Sequence, residues 1–181
     1  MAVLLLARHG ETDWNAAQRW QGHADVPLNA RGLQQARELA ETLRDIDLDA
    51  VYASDLSRAH ETARIVARSK GLDVTTMPAL REVDVGSWSG LTNPEIAEKF
   101  PGMPRHDGET EEALLARVKA ATLEIGTRHG GSVLVVMHGN AMRAIVEYAT
   151  GTRPRRIANC DVLRIRCHQG LLSAIVDVER V

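Results

Sequence analysis

Cysteine is scarce in this 181-residue sequence, and its two examples, Cys160 and Cys167, have neither metal-type nor redox-type spacing. Both fall in or beside one late strand, so no bridge between them is expected. No apolar run near the start approaches the roughly 20 residues that a membrane-spanning helix needs. The run stops at Arg8, with no basic leader and no cleavage site, so a signal peptide is not expected and a cytoplasmic location is. A basic excess is missing too. The 22 Lys and Arg stand against 24 Asp and Glu, a formal charge of -2, so no global field recruits nucleic acid or a membrane. Any anion site must be local. There is no internal repeat, low-complexity run or long linker. Apolar residues make up 44% and charged residues 25%, which suits a globular chain rather than a disordered one. The length fits one domain over residues 1–181, since domains commonly run about 100 to 200 residues.

What is present begins with Val3-Leu4-Leu5-Leu6-Ala7-Arg8-His9-Gly10. An apolar run that ends at a cation, an imidazole and a glycine reads as a buried parallel strand delivering polar groups to the carboxyl edge of a sheet. The run Val133 to Met137 ends the same way, in His138-Gly139-Asn140. Ala50 to Ala53 forms a short strand, and Ser54 and Asp55 open a helix with Arg58 in its first turn. Asn29 is an N-cap, followed by Leu33, Ala36, Ala40 and Leu43 at helical spacing. Thr92-Asn93-Pro94-Glu95 is a capping box that opens a short helix. Another helix starts near Thr110 and buries Leu114, Val118, Ala121 and Ile125. The runs Val162 to Arg166 and Leu171 to Val176 form a hairpin turning near Gly170. The expected class is α/β: a three-layer αβα arrangement with a mostly parallel central sheet flanked by helices and an antiparallel C-terminal edge hairpin. A second Arg-His-Gly, Arg128-His129-Gly130, precedes a strand instead of ending one. It reads as a helix stop, with Gly130 and Gly131 as the break.

If both long strands are central and parallel, His9 and His138 project at one edge, and Arg8 and Arg58 join them. Cations buried together are tolerable around an anion, and a guanidinium fork matches phosphate oxygens. The alternative is a pair of ordinary surface cations. A metal reading of His9 and His138 lacks a third ligand at zinc-like spacing, so no metal is expected. His23, His60, His106 and His168 read as surface residues.

The motifs also carry a resemblance along nearly the whole chain. They are Arg8-His9-Gly10-Glu11-Thr12 with Trp14-Asn15, Gln21-Gly22 through Asp25, Pro27 and Leu28, then Gly32 and Gln35-Ala36. Ser54-Asp55-Leu56, Arg58-Ala59 and Thr62-Ala63 follow, then Leu80-Arg81-Glu82, Gly86, Trp88 and Gly90, and last His138-Gly139 with Arg143. In this order they resemble the histidine phosphatase superfamily, in its cofactor-dependent phosphoglycerate mutase-like branch. The resemblance implies that His9 attacks phosphorus and becomes a phosphohistidine, with Arg8, Arg58 and His138 neutralising the phosphoryl oxygens and the two imidazoles on opposite sides of the phosphorus. It makes Glu82 the proton donor and gives Thr12, Asn15, Gln21, Gly22, Gly139 and Asn140 to substrate binding. No cofactor is then needed. A small phosphorylated metabolite is the expected partner, with neither nucleic acid nor membrane, for a monomer or homodimer.

The branch holds phosphatases and mutases, and fold alone does not separate them. The cap insertion, around 91–109, is short; a more open site favours water over return of a bound intermediate. Gln21-Gly22 and Gly86-Ser87-Trp88-Ser89-Gly90 resemble the phosphatase group, and no basic side chains for a sugar acid are evident near Glu82. Asn140 resembles the mutase version instead. The reading is therefore a phosphomonoester hydrolase, with a mutase primed by bisphosphoglycerate as the alternative and a non-catalytic phosphate-binding protein as a second. Arg105, His106 and the loop from Trp14 to Asp25 are the expected substrate selectors.

Overall fold

The computed structural model of the protein describes residues 1–102, 105 and 107–174. His106, expected as a selector, and Ile175 and Val176 of the last strand lie outside them, as do Met103 and Pro104 of the cap segment. The first strand, β1 (Ala2–Arg8), sits between β4 (Ser132–Met137) and β5 (Val162–His168) in a six-stranded sheet of order β3-β2-β4-β1-β5-β6. β2 (Ala50–Ala53) and β3 (Val74–Thr76) complete the parallel half. β5 runs antiparallel to β1, and β6 (Leu171–Ala174) pairs antiparallel with β5. The sheet is thus mixed, with its antiparallel ladders confined to the C-terminal side. After α6 the loop over 151–161 carries the chain back to the carboxyl edge before β5 begins, so β5 enters the sheet antiparallel to β1.

Period-two alternation sends successive side chains to opposite faces. Leu4 and Leu6 of β1, with Val133, Val135 and Met137 of β4, face one apolar cluster. That cluster packs on α5 (Glu111–Arg128) and α6 (Gly139–Thr150) through Leu114, Val118, Ile125, Met142 and Ile145. Leu5, Ala7, Leu134 and Val136 face the other cluster, under α2 (Ala30–Thr42) and α3 (Ser57–Lys70). Helices therefore cover both faces, and the central strands are apolar on each side for that reason.

Local chemistry sets the helix starts. The Asn29 side chain accepts the Gly32 N–H at the head of α2. Thr92 and Glu95 form the expected capping box on α4 (Asn93–Lys99), and a second box, Thr12 with Asn15, opens the four-residue α1 (Asp13–Ala16). Helix α3 begins at Ser57, not at Ser54, and its N-cap, Leu56, has no polar side chain to accept a hydrogen bond. Asp25 supplies the acceptor from a distant loop, taking the Ser57 N–H at 2.7 Å. Sequence-local capping rules cannot see such a partner. The second Arg-His-Gly does end α5 at the amino edge, but His129 makes the break with an extended backbone, and neither Gly130 nor Gly131 has a positive φ. Among the described residues, no helix is long and apolar enough to cross a membrane.

Candidate active site

Neighbouring parallel strands set the distance between the two histidines. Arg8 pairs with Met137 in the β1–β4 ladder, so His9 and His138 leave the sheet side by side. Their ring centroids are 5.1 Å apart, close to one strand spacing. Both imidazoles therefore emerge at one edge of the sheet; His9 lines the cavity described below, while His138 has no exposed surface.

The His9 ring is held by its own loop. Its Nδ1 lies 2.7 Å from the Gly10 carbonyl oxygen. A carbonyl only accepts, so Nδ1 carries the proton and Nε2 keeps its lone pair. Burial, then the fields of Arg58 and Arg8, hold the His9 pKa well below 6.5. Burial, Arg58, His9 and Arg8 do the same to His138. Both rings are neutral at pH 7. His138 is fully buried, and neither of its nitrogens has a hydrogen-bond partner among the described residues.

The two arginines reach the site from separate elements. Arg58, in the first turn of α3, has no exposed surface. It donates to the carbonyls of Ala24 at 2.7 Å and Gly22 at 2.8 Å. Burial brings its pKa down to about 10, Glu82 and Asp25 oppose the fall, and Arg8 adds to it. Arg58 therefore stays charged at neutral pH. Arg8 donates to the Ile157 carbonyl at 2.7 Å, and the Nε of each arginine is buried without a partner among the described residues.

Glu82 arrives on the segment after β3. Its Oε1 accepts the N–H groups of Val83 and Ala141, and its Oε2 accepts that of Asn140, so the carboxylate caps the N-terminus of α6. Arg117 of α5 anchors this segment. It donates to the carbonyls of Ala79, Arg81 and Glu82 and pairs with Glu109 at 2.6 Å. Arg117→Met leaves the Glu109 carboxylate, itself mostly buried, without its cation. A loss of about 3–5 kcal/mol is expected, readable by urea unfolding; a loss under 1 kcal/mol would show that the anchor is dispensable.

These groups surround a cavity of about 470 Å³, whose walls include Arg8, His9, Arg58, Glu82, Asn15, Gln21, Gly22 and Asn140. The volume suits a small metabolite. Thr12, expected in the wall, is instead fully buried behind it, where its hydroxyl contacts Asn15 and Gln21. The α1 cap consumes it. Gly139 lines a smaller adjoining cavity. Arg105 is tied to the Glu109 carbonyl and lies outside both walls. His23 is not a bystander, since its Nε2 lies 2.9 Å from the Glu82 carbonyl oxygen.

Some contributors were not singled out by sequence reasoning. Asn159 donates to the His9 carbonyl at 2.9 Å, fixing the backbone of the imidazole from a loop 150 residues away. Thr62, noted only as part of a motif, accepts the Gly10 N–H and donates to the Arg58 carbonyl, tying the two loops together. Arg156 lines the cavity beside Glu82, and Arg155 lines the smaller one with Arg143, noted only as part of a motif. Basic side chains near Glu82 do therefore exist. The loop between α6 and β5 brings two of them back across the sheet edge, a return that sequence distance hides.

Backbone contact fixes the floor. A Cβ on Gly10 would sit 2.5 Å from the Gly32 carbonyl oxygen, and one on Gly32 would sit 2.0 Å from that of Glu11. The loop after β1 and the start of α2 touch main chain to main chain. Among the described residues, no three His, Cys, Asp or Glu side chains group as a metal site.

Comparison with known proteins agrees with this arrangement. The chain matches the sequence model of the histidine phosphatase superfamily (branch 1) over residues 4–175. It is 37% identical over 182 residues to a probable phosphoglycerate mutase, GpmB, of Enterobacter sp. (strain 638), covering 91% of this chain and 85% of that one. Among solved structures, Bacillus stearothermophilus YhfR superposes with a TM-score of 0.90 at 31% identity, covering 98% and 97% of the two chains. A mycobacterial glucosyl-3-phosphoglycerate phosphatase in complex with VO3 gives 0.88 at 27% identity, covering 97% and 98%.

Proposed function

The chain belongs to the histidine phosphatase superfamily, branch 1, and from that premise we propose that it hydrolyses a small phosphomonoester through a phosphohistidine on His9. The carrying observation is a neutral buried imidazole whose Nδ1 is engaged and whose Nε2 has no partner among the described residues, set beside the buried Arg58 and the half-buried Arg8. In this reading the Nε2 lone pair attacks phosphorus, the ester P–O bond breaks, and the leaving oxygen takes a proton from Glu82. Water then attacks phosphorus and gives its proton to the Glu82 carboxylate. The P–N bond breaks, its electron pair returns to His9, and phosphate leaves. Arg8 and Arg58 offset the charge on the phosphoryl oxygens throughout, and neutral His138 donates a hydrogen bond to them. Asn15, Gln21, Gly22, Gly139 and Asn140 bind the substrate, and Thr12 acts from behind them. No cofactor enters the cycle.

A mutase is the second reading, favoured by Asn140 after His138-Gly139 and by the arginines beside Glu82. The short cap and the phosphatase among the structural neighbours support hydrolysis. The test is p-nitrophenyl phosphate hydrolysis with a chelator present. Turnover undiminished by the chelator is expected, and no turnover with or without added metal would sink the proposal. With 3-phosphoglycerate and a bisphosphoglycerate primer, phosphate release should outpace formation of the 2-isomer; the reverse selects the mutase.

A further inference from the structure

We propose that the substrate carries a second oxyanion besides its phosphomonoester, held by Arg155 and Arg156 in the lobe that adjoins the phosphate pocket. The inference rests on reading the main cavity as a phosphomonoester site. The smaller cavity, about 240 Å³, shares Arg8, Trp20, Glu82, Asn140 and Arg156 with the main one, so one molecule can reach both.

The loop that carries the two arginines is pinned at each end by an arginine of these cavities. Arg143 Nε donates to the Pro154 carbonyl at 3.0 Å, and Arg8 donates to that of Ile157 at 2.7 Å. Residues 155 and 156 bridge two fixed points. Their neighbour Arg153 shows the ordinary fate of an arginine here, since it pairs outward with Glu111 and Glu147. Arg155 and Arg156 make no ion pair or hydrogen bond among the described residues, and both line the smaller cavity. Arg156 also adds to the positive field on Arg8. A chain of net charge -2 has thus gathered Arg8, Arg58, Arg143, Arg155 and Arg156 around one carboxylate, Glu82. A single phosphate dianion offsets only part of that charge. A guanidinium fork accepts a carboxylate or a second phosphate equally well.

Three substrates separate the possibilities. Glycerol 3-phosphate and 3-phosphoglycerate differ only in a hydroxymethyl against a carboxylate, and glycerol 1,3-bisphosphate offers a second phosphate. Product is counted as released phosphate plus any 2-isomer, so group transfer does not mask a preference. The kcat/KM for at least one of the two anionic-tailed substrates should exceed that for glycerol 3-phosphate by about tenfold or more, equivalent to about 1.4 kcal/mol. Which one leads identifies the oxyanion. Arg155→Gln and Arg156→Gln, on an exposed loop, should together bring the ratio close to one. Equal kcat/KM for all three substrates, or a preference that survives both substitutions, overturns the inference and leaves the hydrolase reading standing. Failure to turn over any of them, or p-nitrophenyl phosphate, removes the hydrolase reading and this one with it.

Discussion

Replacing His9 with asparagine should lower kcat/KM for p-nitrophenyl phosphate by roughly four orders of magnitude or more, the scale of losing a nucleophile. The argument is geometric. Nε2 of His9 is the free lone pair at the cavity wall, because Gly10 engages the other nitrogen. His138, the neighbouring imidazole, has no exposed surface, so His9 is the imidazole that an incoming phosphorus meets. Asparagine keeps a polar side chain but offers no comparable nitrogen lone pair. Rapid acid quench with labelled substrate should trap an acid-labile, alkali-stable phosphoenzyme in the native chain and none in the variant. Inorganic phosphate should still bind the variant, since Arg8 and Arg58 are anchored to the carbonyls of Ile157, Ala24 and Gly22 rather than to His9. A residual rate within tenfold of the native one would mean that the nucleophile lies elsewhere.

The second large effect has opposite signs for activity and stability. His138→Leu should cost about 10²–10³ in kcat, the scale of losing one group that stabilises the transition state. The same change should raise stability by about 1–2 kcal/mol, because it removes a buried ring whose two nitrogens have no partner. The gain should depend on pH. His138 titrates well below 6.5 when folded and near 6.5 when unfolded, so the unfolded chain binds the extra proton. Its contribution to folding is therefore lost as pH falls through about 6.5. Thermal melts should show the variant's advantage widening between pH 7 and pH 5. An advantage that stays flat, or a variant less stable than the native chain at both values, would show that a water or a side chain satisfies the ring in solution.

The parts of the site that lie next to regular structure were legible in the sequence. His9 and His138 could be placed because each follows an apolar strand, and strand direction fixes the edge at which they emerge. Arg58 could be placed because it follows β2 by a short loop. The C-terminal strands were legible as an antiparallel hairpin at the sheet edge, and β5 joins it there by pairing with β1. What escaped notice came from loops meeting loops. Asp25 caps a helix that starts 32 residues later, and Asn159 grips a carbonyl 150 residues earlier. Neither contact has a periodicity or a spacing rule behind it. Thr12 misled for a related reason: its position beside the nucleophile suggested substrate contact, while the local need for a helix cap claimed its hydroxyl. The arginines at 155 and 156 were invisible as site residues because nothing in a loop's composition tells where the loop folds.

The close meeting of Gly10 and Gly32 limits how this pocket can be remade. Each glycine faces the main chain of the other segment, so a bulkier residue at one cannot be compensated by trimming the other; nothing remains to trim. A library that randomises both positions should yield no active double replacements. New specificities would have to be sought along the rim, in the segments carrying Asn93, Arg155 and Arg156, where a changed side chain alters what enters without moving the attacking nitrogen.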